Sequence, residues 1–281
     1  MTAEIDALEA RAQPSHTPCG DGRIAWRSWG DGPGILLLLH GGSGSWLHWL
    51  RNIDALAARY RVIAADIPGL GESAMPPDAK DIYDVAKPLA AGIATLLGPD
   101  RRYHLAGFSF GANVGGHLAA LEGDHVRSVT VVGAASLGLP RPPLDLLKVR
   151  DKQGAERRAA NAENLARLMI RDRAKIDDTS LDIQEYNTQH ARFRSRGFAS
   201  GDSLKEALKL AKAPINGIWG EMDTVAWPNV AARLDVLREI DPTLLSHVIT
   251  GAGHWVAYEA AEEFNAALLR ILAEREASTD R

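Results

Sequence analysis

The stretch from Arg102 to Leu118, RYHLAGFSFGANVGGHL, constrains this chain more than any other. An apolar, β-prone run from Tyr103 to Phe108 meets Gly107-Phe108-Ser109-Phe110-Gly111 and passes at once into a small-residue helix, Ala112 to Leu121. Strand, sharp turn and helix in that order push the serine out of regular structure with its hydroxyl exposed. Glycine at 107 and 111 leaves the room needed for so tight a reversal. The turn makes Ser109 a candidate nucleophile. Five residues arise readily by chance, however, so the weight of the pattern rests on finding a base, an acid and oxyanion donors elsewhere.

Around this turn the chain alternates. Arg23 to Trp29 reads as a strand, Gly30-Asp-Gly-Pro-Gly34 as a turn, and Ile35 to Leu39 as a strand apolar on both faces. His40-Gly41-Gly42-Ser43-Gly44 follows, with His40 expected to brace that loop. Apolar residues at helical spacing run from Trp46 to Tyr60, and Arg61 to Ile67 is the next strand. A helix over Asp84 to Leu97 precedes the serine turn, and the strand Val126 to Val132 follows it. This rhythm predicts an α/β fold with a mostly parallel sheet and helices on both faces. Between Leu139 and Lys212 it stops: three prolines open a charged stretch with helices such as Ala160 to Ile170 and no strand. Residues 139–212 are therefore expected to form a helical insertion in a core made of 1–138 and 213–281. Alternation resumes with Pro214 to Trp219, a helix at Val230 to Ile240, the strand Ser246 to Thr250 and a closing helix from Val256 to Glu274.

A serine hydroxyl needs a base within hydrogen-bond reach, and the base needs an orienting carboxylate. His254, in Gly251-Ala-Gly253-His254-Trp255, follows the last strand, and Asp223, in Trp219-Gly220-Glu-Met-Asp223, follows the strand before it. In open parallel sheets, sites form at the carboxyl ends of strands, where Ser109, Asp223 and His254 all fall. Glu221 as the acid, or Asp223 as a mere helix cap, are the competing readings at that loop.

Taken together, the serine turn, His40-Gly41-Gly42, Asp66-Ile-Pro68-Gly69-Leu-Gly71-Glu-Ser73 and the acid and histidine loops resemble the α/β-hydrolase superfamily over nearly the whole chain. The resemblance implies an α/β-hydrolase fold, catalysis by Ser109, Asp223 and His254, an oxyanion hole from the N–H groups of Gly42 and Phe110, and a cap domain formed by the insertion. Serine at the turn separates the chain from the haloalkane dehalogenase and epoxide hydrolase branches, which carry aspartate there.

Two features are similar to the hydrolases that cleave carbon–carbon bonds in meta-cleavage products: Trp255 after the histidine, and the insertion's Arg192, Arg194 and Arg196, one of which could bind a substrate carboxylate. A solvated helix face is the plainer reading of those arginines. Against that branch, the turn has Phe108 and Phe110 where those enzymes usually have Asn and Met, and the glycine loop lacks their proline. The apolar floor favours a small carboxylic ester cleaved through an acyl-enzyme, with Ser43, Phe108, Arg192 and Trp255 expected in substrate binding. Carbon–carbon bond hydrolysis is the first alternative and a non-catalytic hydrolase-like receptor the second.

No cofactor or metal is expected. Gly69-Leu-Gly71 mimics a dinucleotide fingerprint, but Pro76 and Pro77 block the helix it requires. The glycine loop lacks a phosphate-loop ending, and the nine histidines are scattered. A net charge of -4 argues for no special partner and shows no nucleic-acid footprint, no apolar run approaches the ~20 residues needed to cross a bilayer, and the resemblance implies a small-molecule substrate. The single Cys19 and an acidic N-terminus unlike a secretory signal point to the cytoplasm. An exposed edge strand would offer a homodimer contact.

Overall fold

The computed structural model describes residues 1–140, 142–198 and 201–279. Eight strands form one sheet: β1 Gln13–Cys19, β2 Gly22–Trp29, β3 Gly34–Leu39, β4 Tyr60–Ala65, β5 Tyr103–Phe108, β6 Val126–Val132, β7 Ile215–Gly220 and β8 Leu245–Ile249. Their order is β1-β2-β4-β3-β5-β6-β7-β8, antiparallel as far as the β2/β4 pair and parallel beyond it. The α-helices are α1 Ala3–Glu9, α2 Ile53–Ala57, α3 Ile82–Leu97, α4 Phe110–Glu122, α5 Gly154–Asn164, α6 Asp178–His190, α7 Ser203–Leu210, α8 Val230–Ile240, α9 Val256–Glu259 and α10 Ala261–Thr279. This is the α/β-hydrolase fold that the sequence implies. No described helix is long and apolar enough to cross a membrane.

Strand β3 shows why the sheet is central. Successive side chains of a strand point to opposite faces. Leu37 and Leu39 accordingly join one core with Val85 and Leu89 of α3 and Val114 and Leu118 of α4. Leu36 and Leu38 join the other, with Ile53 of α2 and Phe264 and Leu268 of α10. An unbroken leucine run is the consequence of two-sided burial. Each such side chain contributes about 1.5–3 kcal/mol by leaving water.

Four elements differ from the periodicity. Strand β1, where the sequence reading places no strand, carries Pro14 and Pro18; among the described residues it pairs at the sheet edge with β2 alone, and proline is tolerated where no second ladder needs its N–H. The helix expected over 46–60 is a short 3-10 turn, Trp46–Trp49, followed by α2. Between them the buried Asn52 amide donates to the Ala257 carbonyl and to Asn265 Oδ1, fixing the chain to the C-terminal helices. The closing helix breaks at Ala260, where φ is -128°. Helix α5 runs into a π-helical turn, Leu165–Met169, instead of continuing as α-helix. Helices α5 to α7 all lie between β6 and β7, the position of the expected insertion, and α7 packs its Leu204 and Leu208 against Gly116 of α4.

The turn between β5 and α4 leaves no room for a side chain at either of its glycines. Ser109 has φ 53° and ψ -112°, a conformation disfavoured for a residue with a Cβ, and its N–H donates to Val132 of β6. A Cβ on Gly111 would lie 2.3 Å from the Leu39 carbonyl oxygen and 2.5 Å from that of His40. One on Gly107 would lie 2.4 Å from the Gly111 carbonyl oxygen. Because backbone rather than a flexible side chain is in the way, Gly111→Ala is expected to destabilise the protein by about 3 kcal/mol or more. Denaturant unfolding followed by circular dichroism measures this; wild-type stability in the variant would refute the packing described.

Candidate active site

The carboxyl ends of β3, β5, β7 and β8 converge on one cavity of 180 Å³. At its base His254 stands between two partners: Nε2 is 3.0 Å from Ser109 Oγ and Nδ1 is 2.9 Å from Asp223 Oδ1. A carboxylate only accepts, so Nδ1 carries the proton and the Nε2 lone pair faces the hydroxyl. The arrangement can take a proton from Ser109 and hold the resulting imidazolium against a carboxylate. Asp223 and His254 are buried while Ser109 lines the cavity. Asp223 Oδ1 also accepts from the Val225 N–H at 2.8 Å, which turns the loop after β7 back on itself. Glu221 points elsewhere, accepting from the Gly251 N–H at 2.9 Å. Gly133, after β6, has φ 56°, and a Cβ there would approach Asp223 Oδ2 at 3.1 Å and His254 Nδ1 at 3.3 Å.

The loop after β3 and the start of α4 each present one N–H group beside the cavity. Gly42 N–H meets no acceptor among the described residues, and Phe110 N–H is the first of α4, ahead of any intrahelical carbonyl. Two histidines hold this loop. His40 Nε2 accepts from the Ile67 N–H at 2.9 Å, so its Nδ1–H donates to the Gly41 carbonyl at 2.8 Å. His48 Nδ1 accepts from the Gly41 N–H at 3.1 Å, and its ring abuts Phe108 and Trp255. His48 escapes a periodicity argument because it sits in what reads as an ordinary amphipathic helix.

Of the other expected site residues, Ser43 and Phe108 line the cavity, Ser43 with φ 53°. Trp255 does not. It is completely buried, its indole N–H donating to the His48 carbonyl at 2.8 Å and its ring stacked on Tyr258. Arg192 is also displaced from the expected role: its guanidinium donates to the carbonyls of Gly71 and Ser73, and it lines no part of the cavity. Arg194 is exposed and away from the cavity, and the side chain of Arg196 lies outside the described residues.

The outer wall comes from the segment between β6 and β7. Leu144, Leu146, Leu147, Val149, Leu168, Met169 and Phe198 make it apolar, with Gln184, Thr188 and Ser195 as polar points. Among the described residues no lysine, arginine, aspartate or glutamate lines it. Asn164 clamps the Leu147 backbone through both its N–H and its carbonyl. The π turn then ties this wall to the loops that carry Asp223 and His254: the Leu168 carbonyl accepts from Thr224 Oγ1 at 2.6 Å and the Met169 carbonyl from the Trp255 N–H at 2.7 Å. The buried Glu259 carboxylate accepts the N–H groups of Gly253, Arg171 and Asp172, joining the residue before His254 to the end of the π turn. A glutamate five residues after a histidine is visible in the sequence; that it gathers three amides is not. Among the described residues no group of three or more histidine, cysteine or acidic side chains is placed to hold a metal.

A family profile described as an α/β hydrolase family matches residues 36–267. The chain is 30% identical over 285 residues to a dihydrolipoyllysine-residue acetyltransferase component of an acetoin cleaving system from Pseudomonas putida, covering 97% of this chain and 73% of that protein. It is 27% identical over 265 residues to a 2-hydroxy-6-oxononadienedioate/2-hydroxy-6-oxononatrienedioate hydrolase from Burkholderia vietnamiensis, covering 89% and 91% respectively. Among solved structures, a membrane phospholipase A superposes with a TM-score of 0.77 at 23% identity, covering 98% of this chain and 91% of that one; at this identity the likeness is one of fold.

Buried histidines make the site's support acid-sensitive. Burial lowers His40 and His104 from the ordinary 6.5 to about 4 and pushes His48 well below its usual value. The unfolded chain takes up these protons and the folded chain does not, so this stability is complete above 6.5 and is lost as the pH falls towards 4. Asp66, raised by burial from 3.8 to about 6, acts in the opposite sense, but one carboxylate does not offset three imidazoles. The midpoint of thermal unfolding is expected to be level above neutrality and to fall by roughly 10 °C as acid enters that window. Calorimetry across the range checks this, and a level curve would contradict it.

Proposed function

Because the chain belongs to the α/β-hydrolase family, we propose that it is a cofactor-free serine hydrolase that cleaves a small, uncharged carboxylic ester through an acyl-enzyme. The observation that carries this reading is the position of His254, in hydrogen-bond contact with Ser109 on one side and Asp223 on the other. Ser109 Oγ attacks the ester carbonyl while His254 Nε2 takes its proton, and the carbonyl electron pair moves onto oxygen. The N–H groups of Gly42 and Phe110 hold that oxyanion; one such donor is worth about 3 kcal/mol of barrier. As the tetrahedral intermediate collapses, the C–O bond to the leaving alcohol breaks and His254 returns the proton to it. Water, deprotonated by His254, then attacks the acyl carbon and releases the acid and Ser109. Asp223 keeps Nδ1 protonated throughout and stabilises the imidazolium. The segment between β6 and β7 serves as the cap, and the leucines of its irregular first stretch and of the π turn receive the apolar part of the substrate.

The uncharged, largely apolar wall supports an ester over a dianionic ring-cleavage product, since a buried carboxylate without a cation is costly. Carbon–carbon bond hydrolysis is the second reading, favoured by similarity to the Burkholderia vietnamiensis hydrolase.

With a panel of p-nitrophenyl esters, wild type is expected to turn over the acetate and butyrate with an acyl-enzyme burst, and Ser109→Ala to lose about ten-thousand-fold in kcat. A hemisuccinate ester should react about tenfold more slowly than the butyrate. Absence of both turnover and burst would sink the ester reading, and bleaching of a 2-hydroxy-6-oxo-dienoate in a parallel assay would replace it with carbon–carbon cleavage.

A further inference from the structure

Ser195 lies in the segment between β6 and β7, far in sequence from the serine turn, yet it packs on the glycine loop: a Cβ built on Gly42 would fall 2.5 Å from Ser195 Oγ and 3.5 Å from Phe110 Cβ. Its side chain lines the cavity and is nearly buried. Its hydroxyl makes no hydrogen bond to any described residue, and a serine hydroxyl so enclosed normally has a partner. The other polar side chains of that wall are largely engaged. Asn113 donates to Ser136, Ser203 and the Phe198 carbonyl, Thr188 donates to backbone carbonyls one turn back, and Asn164 clamps Leu147.

We infer that Ser195 is a further catalytic residue, a third hydrogen-bond donor to the substrate's carbonyl oxygen beside the Gly42 and Phe110 N–H groups. This rests on the ester-hydrolysis reading. The oxygen that becomes an oxyanion is to be held by Gly42 and Phe110, and Ser195 Oγ lies against Gly42 on the side of that glycine that also faces Phe110. Its proton has no acceptor among the described residues to compete for it, so donation to the substrate costs none of the bonds they make. The segment is held for the task. The N–H groups of Arg192 and Phe193 both donate to the Gly69 carbonyl, the Arg192 guanidinium donates to Gly71 and Ser73, and the Phe193 ring lies between those of Phe110 and Phe198. Arg192 is thereby a positioning residue for Ser195 rather than a binder of substrate anions. Only part of the oxyanion hole belongs to the core, and its last donor arrives from the segment above.

The test uses the full chain with Ser195→Ala. On p-nitrophenyl butyrate, kcat is expected to fall about tenfold with KM changed less than about twofold. The affinity for a trifluoromethyl ketone of matching length, which adds to Ser109 as an anionic hemiketal, should fall by a similar factor. The thermal midpoint should stay at the wild-type value, because the lost hydroxyl bonds nothing in the free protein. Unchanged kcat and ketone affinity in an otherwise active background would overturn the assignment, as would a loss of kcat that tracks a lowered thermal midpoint while ketone affinity is kept. If wild type itself neither hydrolyses the ester nor binds the ketone, the ester reading fails first and takes this assignment with it.

Discussion

Everything at the candidate site depends on how closely two stretches of backbone approach at the end of β5. Ser109 can be turned to φ 53° because the positions two residues to either side of it carry no side chain: Gly107 sits under the Gly111 carbonyl, and Gly111 sits against the carbonyls that end β3. The strain of that conformation is of order 1–3 kcal/mol and is offset by the sheet and by α4 docked across it. The same contact has a chemical consequence. It places the first N–H of α4 beside the loop after β3, so the serine and the proposed oxyanion donors are set by one packing event.

A second layer of order comes from polar groups that bind backbone rather than substrate. Glu259 gathers the amides of Gly253, Arg171 and Asp172; Arg192 holds the loop after β4; Asn164 clamps Leu147. The third ties the segment between β6 and β7 to itself, and the first two join the core to that segment where it has no regular ladder to hold it. Arg233, completely enclosed on α8, does the same for the start of the segment through the Pro140 carbonyl and for the acid loop through that of Val225. Burial lowers its pKa, and the neighbouring charge of Asp223 opposes that shift. The π turn after α5 fits this picture, since its displaced carbonyls at Leu168 and Met169 are the ones that reach Thr224 and Trp255.

These backbone-binding side chains account for most of what sequence reading misassigns. An arginine in a helical insertion and a tryptophan after a histidine look like substrate ligands because their chemistry suits anions and aromatic surfaces. Arg192 instead finds two carbonyls of a sharp turn, and Trp255 donates to His48 beneath the site. The helix interrupted at Asn52 fails for a related reason: it is decided by partners distant in sequence, Ala257 and Asn265.

What the sequence determines by itself is whatever depends on local period and sterics. The two-faced leucine run of β3 and the alternation of strand and helix make a parallel sheet, and the two glycines around Ser109 make the turn. Strand order then brings Asp223 and His254 to the same edge, because parallel strands present their carboxyl ends together. Only the tertiary structure decides which polar side chains face the cavity and which serve the backbone. It gives His48 and Glu259 to loop support, withdraws Arg192 and Trp255, leaves a wall without charge among the described residues, and sets the unpaired hydroxyl of Ser195 against Gly42. These outcomes are contests between long-range hydrogen bonds, and nothing within a few residues of each side chain records who wins them.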